Sequence, residues 1–292
     1  MKLAVSDNCY FSTIVKNEKQ YIDVCNSLDL LIFGSDQIWN PNWFHPFYYA
    51  DYQQITTPRV AYAPSIGVTK IMSEKVEKYE KALERFAKIS VREESGVEVI
   101  QRITKQECIK VVDPTLLLAA SEWDEIFNTK STDDDYVLLY LLNDNKNHIQ
   151  AAIEYAKKIG IKLKIIPYKN DTYLCNGEVI ADAGPKEFLE LIKNAHMVIT
   201  DSFHGMIFSI IYRKQFYILT RFDDKKQDSQ NSRIYQIIDE YGLHDRLQEY
   251  NACEILESRR IDYQKINRKI NEQIEISLHY LREILKEIEE NE

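Results

Sequence analysis

The stretch 195–220, AHMVITDSFHGMIFSIIYRKQFYILT, constrains the fold more than any other part of the chain. Its pattern predicts a buried strand over 197–200, a buried helix over 203–212 and a second buried strand over 216–219. Asp201 and Ser202 stand between the first strand and the helix, and both are residue types that cap helix N-termini. A strand that runs straight into a helix N-terminus is where open α/β sheets bind anions, so we expect Asp201 and Ser202 to bind substrate.

His204 is the one polar group that packing does not require in the first turn of this predicted helix. We interpret it as a candidate catalytic residue. A capping or core histidine with a satisfied ring is the alternative, and for a lone histidine it is the more frequent case. Gly205 follows directly. Glycine early in a helix costs about 1 kcal/mol relative to alanine, which indicates close approach of the backbone by a ligand or by another element.

The same alternation of short apolar runs and amphipathic segments extends over the whole chain. Alternation of this kind is typical of βαβ units and a parallel sheet. The composition shifts at a polar loop with a charge run over 130–135, so the boundary between two such series is placed at about 115–133. We therefore predict two Rossmann-like parallel-sheet domains, over 1–120 and 121–250, followed by one long amphipathic helix within 251–292. The predicted strands are 29–33, 59–62, 88–91, 109–112, 136–142 and 162–166, and the predicted helices are 73–85, 94–102, 148–159, 185–193, 233–241 and 263–290.

Composition excludes several classes of protein. The net charge of −9 argues against a non-specific nucleic-acid binder, which needs a basic surface. The five cysteines are scattered and lack CxxC spacing, so we expect neither a zinc site nor a disulfide framework, and we expect a reducing compartment. No apolar run approaches the ~20 residues of a membrane span. Residues 1–27 lack the apolar core of a signal peptide, and we predict a cytoplasmic protein.

Polar residues also follow the predicted strands of the first half. Ser35 and Asp36, then Ser65, then Arg92 stand at successive strand ends, where parallel sheets bind ligands. Arg92 suits a bidentate grip on a carboxylate or phosphate; a surface salt bridge with Glu93 or Glu94 is equally probable from position alone.

Three further polar positions have structural alternatives. A helix cap explains Asp36 as readily as a functional role does. Arg233, after a polar loop, is a candidate anion clamp or a solvated helix charge. Asp133, Asp134 and Asp135 resemble a metal-binding run, but a solvated loop is the better interpretation, and we expect no metal.

Five stretches, in this order and spacing, resemble the polysaccharide pyruvyl transferase family. They are FGSDQIWNP (33–41), RVAYAPSIG (59–67), ISVREESGVEVIQ (89–101), VVDPTLLL (111–118) and TDSFHGMIFSI (200–210). The resemblance implies a two-domain GT-B-like fold. It also implies transfer of the enolpyruvyl-derived group of phosphoenolpyruvate to a pair of sugar hydroxyls, giving a pyruvate ketal of a surface polysaccharide.

The family's histidine falls on His204 and its arginine on Arg92, and family members place both on the donor. Some members carry an arginine at the position of Ser202, so donor binding here would lean on Arg92, the helix N-terminus and Arg233, with Lys225 and Lys226 as further candidates. We expect His204 to act as general acid/base and Asp36 to orient or deprotonate the acceptor. The family's N-terminal βα unit is longer than the corresponding part of this chain, which predicts a shortened first domain.

The expected partners are phosphoenolpyruvate, as co-substrate with no further cofactor, and a lipid- or nucleotide-linked saccharide. Such an acceptor is assembled on the inner membrane face, so peripheral membrane association is a further expectation, whereas binding of nucleic acid is not expected. A glycosyltransferase that uses a nucleotide sugar on the same scaffold, and a non-catalytic sugar-binding relative, stay open as alternatives.

Overall fold

The computed structural model describes residues 14–173, 176–223, 231–255 and 258–290. Within them the chain divides into two compact units. Residues 14–117 and 268–290 form what we call the amino-terminal unit, and the described residues of 118–267 form the central unit. Each unit is described by itself.

Both units are built on parallel strands joined by helices, as the alternation predicts. The strands are β1 (Leu31–Phe33), β2 (Arg59–Ala61), β3 (Lys88–Val91), β4 (Cys108–Lys110), β5 (Tyr136–Tyr140), β6 (Lys162–Ile166), β7 (Glu178–Val179), β8 (Met197–Thr200), β9 (Gln215–Leu219) and β10 (Leu247–Gln248). The α-helices are α1 (Glu18–Cys25), α2 (Ser73–Leu83), α3 (Glu94–Ile103), α4 (Ala120–Phe127), α5 (Lys146–Ile159), α6 (Asn170–Tyr173), α7 (Pro185–Asn194), α8 (Phe203–Ile211), α9 (Ser232–Tyr241) and α10 (Tyr263–Glu289).

The amino-terminal sheet has the order β1-β2-β3-β4 with every neighbouring pair parallel. Its two faces carry different cores, because successive side chains of a strand point to opposite faces. Ala61, Ile89 and Val91 belong to a cluster with Trp39, Tyr79 and other aromatic residues. Val60 of the same sheet packs instead with Tyr280 and Ile284 of α10. Residues 268–290 therefore cover one face of a sheet whose strands lie far away in sequence.

The segment 39–52, WNPNWFHPFYYADY, is rich in aromatic residues and proline, a composition that predicts an irregular loop. Two short 3-10 helices, Pro41–Trp43 and Pro46–Tyr49, occupy the segment. Trp39 and Tyr49 are fully buried and stack with their ring centroids 5.4 Å apart. The aromatic segment is thus part of the core rather than a surface loop.

The central sheet has the order β10-β9-β8-β5-β6-β7 and is parallel throughout. The chain proceeds outwards from β5 to β7 and then returns to place β8 on the other side of β5. This is the Rossmann strand order, and the reversal between β5 and β8 is the point at which such sheets bind ligands.

The acidic run at 133–135 lies beside basic groups of the same unit. Asp134 forms ion pairs with Lys162 and Lys164 of β6, and Asp135 lies 3.1 Å from the ring of His196. Asp134 and Asp135 therefore both have side-chain partners within the central unit.

No helix in the described part of the chain is both long and apolar enough to cross a membrane. Residues 1–13 lie outside the described residues, as do residues 224–230 of the polar loop before Arg233, including Lys225 and Lys226.

Candidate active site at the strand ends

Hydrogen bonds and an ion pair of Asp201 connect the carboxyl ends of three adjacent strands of the central sheet, β5, β8 and β9. This residue follows β8 and is fully buried. One carboxylate oxygen, Oδ1, accepts a hydrogen bond of 2.7 Å from the backbone N–H of Leu142, which follows β5. Arg221, which follows β9, donates from Nη2 to the carbonyl of Asp201 at 3.0 Å, and its Nε lies 3.7 Å from Oδ2. The three strand ends at the switch point therefore share one buried acid.

Burial raises the pKa of Asp201 to about 6, because the charged carboxylate loses its hydration. The positive charge of Arg221 and the N–H groups of the neighbouring backbone oppose that rise. The pKa of Asp201 therefore lies well above that of an exposed aspartate.

Ser202 is the cap of α8, as its residue type predicts. Its Oγ accepts the backbone N–H of Gly205 at 3.2 Å. The N–H of Ser202 donates in turn to Oγ1 of Thr200, which itself donates to the carbonyl of Tyr140 at 2.6 Å. Asp201, which was equally suited to capping, turns its side chain to the end of β5 instead.

Gly205 is explained by its packing against strand β8. A Cβ at this position would lie 2.6 Å from Oγ1 of Thr200, and the other two nearest atoms also belong to Thr200. Of the two expectations for this glycine, close approach by another element is the one that the structure supports.

His204 and Arg233 both lie against one aromatic ring. The ring of Phe203 is buried and meets the imidazole of His204 edge to face, with centroids 5.4 Å apart. The guanidinium carbon of Arg233, in the first turn of α9, lies 5.5 Å from the centroid of the same Phe203 ring. Two residues that the sequence singled out separately therefore both contact the ring of Phe203, at the N-terminus of α8.

Arg92 is the centre of a second polar group, at the carboxyl edge of the amino-terminal sheet. Its side chain is 3% exposed and forms an ion pair and hydrogen bond with Asp113, which is just as deeply buried. Nη2 of Arg92 also lies 3.4 Å from Oδ1 of Asp36, whose side chain is 64% exposed. Position alone suggested a surface salt bridge with Glu93 or Glu94, whereas the guanidinium of Arg92 is buried and contacts Asp113.

Asp36 does not cap a helix, since residues 36–39 form a turn and no α-helix follows before residue 73. The carbonyl of Asp36 accepts the N–H of Ser65 at 2.6 Å, which joins the turns after β1 and β2. Ser35 lies in the first of these turns. Asp36, Ser65 and Arg92 thus occupy one edge of the sheet.

Glu93 fixes the turn after β2 through hydrogen bonds. This role was not identified from the sequence. Its Oε1 accepts hydrogen bonds from Oγ of Ser65 and from the backbone N–H groups of Ile66 and Gly67, at 2.7–2.9 Å. Ser65 is fully buried, and its hydroxyl donates to this carboxylate. Its position at the sheet edge therefore has a structural cause as well as a candidate binding role.

A family model described as polysaccharide pyruvyl transferase matches residues 3–224 of the chain. No curated protein matches the sequence significantly. Among solved structures, UDP-GlcNAc 2-epimerase from Methanocaldococcus jannaschii superposes with a TM-score of 0.51 at 12% identity, over 88% of this chain and 74% of that one. The epimerase from Neisseria meningitidis bound to UDP-GlcNAc gives 0.47 at 12% identity, over 87% and 79%. The glycosyltransferase SnogD from Streptomyces nogalater gives 0.45 at 10% identity, over 90% and 75%.

The two parallel-sheet units define an α/β fold of the GT-B-like type, which confirms the predicted fold class. The chain belongs to the polysaccharide pyruvyl transferase family, whose model matches most of its length, and it is a transferase. The resemblance inferred from five short stretches is confirmed.

Proposed function

We propose that the chain transfers the enolpyruvyl-derived group of phosphoenolpyruvate to two hydroxyls of one sugar, during the synthesis of a surface polysaccharide. Family membership supplies the reaction class. The observation that carries the assignment of a site is the position of His204, in the first turn of α8 directly after β8. There an imidazole stands beside a helix N-terminus at the switch point of a Rossmann-ordered sheet, which favours a small anion.

The chemistry needs a proton at the methylene carbon of the donor. Protonation there makes C2 electrophilic, one sugar hydroxyl attacks C2 and loses its proton, and the C2–O bond to phosphate then breaks. The second hydroxyl closes on C2 and loses its proton in turn, so that inorganic phosphate and a cyclic ketal are the products. We assign the proton transfers to His204, a role that contributes typically ~10²–10⁴-fold to a rate.

In this proposal the hydroxyl of Ser202, the N-terminus of α8 at Gly205 and the guanidinium of Arg233 contact phosphoenolpyruvate, and Asp201 is the acid that connects the strand ends. Arg92 and Asp36 of the amino-terminal unit keep the roles that the family resemblance and their position suggest: Arg92 on the donor, and Asp36 towards the acceptor hydroxyl. The guanidinium of Arg92 already forms an ion pair with Asp113. Its contribution to donor binding is therefore smaller than that of a guanidinium without a buried partner.

The direct test incubates the protein with phosphoenolpyruvate and a galactose or mannose acceptor and measures inorganic phosphate. Acceptor-dependent release, together with a ketal-bound pyruvate on the sugar, supports the proposal. Release of a nucleoside diphosphate from a nucleotide sugar, with none from phosphoenolpyruvate, would assign the scaffold to glycosyl transfer instead.

The acceptor is proposed to be a lipid- or nucleotide-linked saccharide met at the inner membrane face by a cytoplasmic protein. A liposome-flotation experiment with and without acceptor lipid tests that association. Flotation only in the presence of the acceptor lipid is the expected result.

A further inference from the structure

Trp43 is an exposed aromatic residue beside the carboxyl edge of the amino-terminal sheet. Among the tryptophans, tyrosines and phenylalanines in the described part of that unit, Trp43 and Tyr48 are the exposed ones, at 46% and 42%. Nε1 of Trp43 donates a hydrogen bond of 2.9 Å to the carbonyl of Gln37. Gln37 directly follows Asp36 in the turn after β1. The indole is therefore bonded to the turn that carries the proposed acceptor residue.

Chain geometry places the indole close to Asp36. Because consecutive Cα atoms are ~3.8 Å apart, the carbonyl oxygen of Gln37 lies within ~6 Å of the Cα of Asp36. The hydrogen bond of 2.9 Å then puts Nε1 of Trp43 no more than ~9 Å from the same Cα. The side chain of Asp36 is 64% exposed, so both groups are accessible from solvent.

Hydrogen bonds fix the backbone that carries the indole. Trp43 is the last residue of the 3-10 helix Pro41–Trp43, whose cap, Asn40, is fully buried. The N–H of Trp43 donates to the carbonyl of Asn40 at 3.2 Å. Nζ of Lys75, on α2, donates to the carbonyl of Pro41 at 2.8 Å. A ligand that covers an indole held in this way costs little side-chain entropy.

The exposed surface of the indole is apolar, because its single polar group, Nε1–H, is bonded to Gln37. The face of an aromatic ring carries the negative part of its quadrupole. One face of a pyranose ring presents C–H groups with a slight positive charge, while its hydroxyls point outwards. Such a ring can stack on the indole of Trp43 and still offer hydroxyls to a neighbouring carboxylate.

The charge of this surface distinguishes a saccharide from other ligands. The segment 40–50, NPNWFHPFYYA, contains no Asp, Glu, Lys or Arg. Lys75 already donates to this segment, and Lys78 lies 4.0 Å from the centroid of the Phe44 ring. Surfaces that bind anionic lipid or nucleic acid need several basic groups. The segment therefore suits a neutral ligand.

We propose that the indole face of Trp43 is the platform on which one pyranose ring of the acceptor saccharide stacks, with its hydroxyls towards Asp36. The proposal rests on the proposed function for the identity of the ligand and on the geometry for its location. Trp43 holds the sugar and takes no part in proton transfer.

Binding of methyl galactoside and of methyl mannoside, measured by calorimetry without donor, tests the platform without requiring turnover. Trp43→Ala should weaken binding by about tenfold, because the stacked face is lost. Trp43→Phe keeps an aromatic face and should lose less. Tyr48→Ala is the matched control, since Tyr48 is similarly exposed in the same segment and its ring meets His45. It should bind the sugar as the unchanged protein does.

Fluorescence gives a second measurement that a structural role would not change. Trp43 is one of three tryptophans, and Trp39 is fully buried. Sugar should shift the emission of the unchanged protein to shorter wavelength and leave that of Trp43→Phe unshifted.

Three binding results would overturn the proposal. They are failure of the unchanged protein to bind either sugar at millimolar concentration, unchanged binding by Trp43→Ala, and an equal loss in Tyr48→Ala. Flotation with zwitterionic vesicles that Trp43→Ala abolishes, in the absence of sugar binding, would assign the indole to a membrane surface instead.

Kinetics separates this proposal from the proposed function. Trp43→Ala should raise the KM for the acceptor and leave the KM for phosphoenolpyruvate unchanged. Sugar binding that depends on Trp43, without release of phosphate from phosphoenolpyruvate, would uphold the platform and reject the transferase reaction. Phosphate release with an acceptor KM that Trp43→Ala does not alter would do the reverse.

Discussion

Arg221 and Asp201 form an ion pair across the ends of two neighbouring strands, with Nε of the arginine 3.7 Å from Oδ2 of a fully buried carboxylate. The contact joins β9 to β8, and the second oxygen of the acid reaches β5. A single side chain thus connects the strand ends on both sides of the switch point.

The pH dependence of stability should reveal the buried acid. The pKa of Asp201 is about 6 in the folded protein and about 3.8 in the unfolded chain. Between these values the folded state binds more protons, so the free energy of unfolding falls as the pH rises from 4 to 7. At ~1.4 kcal/mol per pH unit, this contribution amounts to at most about 3 kcal/mol. The measurement is urea unfolding of the protein and of Asp201→Asn across this range.

The Asp201→Asn protein lacks that titration, so its stability relative to the unchanged protein should increase with pH. Parallel stability profiles of the two proteins would show that Asp201 titrates normally.

Replacement of His204 should affect the rate and not the fold. His204→Ala is expected to lower phosphate release from phosphoenolpyruvate by ~10²–10⁴-fold, because the proton donor is lost. The imidazole is half-buried and meets the ring of Phe203 edge to face, so the melting temperature should stay nearly constant. A fall in melting temperature with an unchanged rate per folded molecule would instead identify His204 as a packing residue.

Gly205→Ala should destabilise the central unit. The added methyl group would lie 2.6 Å from Oγ1 of Thr200, a hydroxyl fixed by hydrogen bonds to Ser202 and Tyr140. Overpacking of this kind costs typically ~1–3 kcal/mol. Thermal unfolding of Gly205→Ala, of Thr200→Ala and of the double variant measures it. The double variant should lose less than the sum of the two single losses, and strict additivity would contradict the proposed clash.

Asp113 and Asp36 both contact Arg92, but replacing them should lower the stability of the protein by different amounts. Asp113→Ala leaves the guanidinium of Arg92 buried without its main partner, which costs typically ~3–5 kcal/mol. Asp36→Asn alters an exposed partner at 3.4 Å and should cost no more than about 1 kcal/mol. Denaturant unfolding compares the two. An activity loss in the folded Asp36→Asn protein would support its proposed role towards the acceptor, and equal destabilisation by both changes would refute the distinction.

Local patterns predicted the regular elements of both units well. The strand at Met197–Thr200, the helix that follows it and the cap at Ser202 all follow from hydrophobic patterning and residue type. β7 and β10 were missed because two residues are too few to produce an alternating pattern. The strand order was also beyond sequence reasoning, since pairing depends on contacts between distant segments.

The candidate site was predicted only in part. His204, Ser202 and Arg233 were singled out from position, but the ring of Phe203 that brings two of them together could not be foreseen. Arg221 follows a predicted strand, and the rule that selected Arg92 would have selected it too. The pairing of Asp113 with Arg92 depends on the adjacency of β3 and β4, which no local signal encodes.

The cover that α10 provides for the amino-terminal sheet has a consequence during synthesis on the ribosome. Val60, Tyr62 and Val111 emerge early, whereas Tyr280 and Ile284, which shield them, are translated more than 150 residues later. The central unit emerges in between and can fold as one continuous piece. Until α10 has been translated, one apolar face of the amino-terminal sheet therefore stays exposed in the nascent chain. A chaperone would be needed most during that interval.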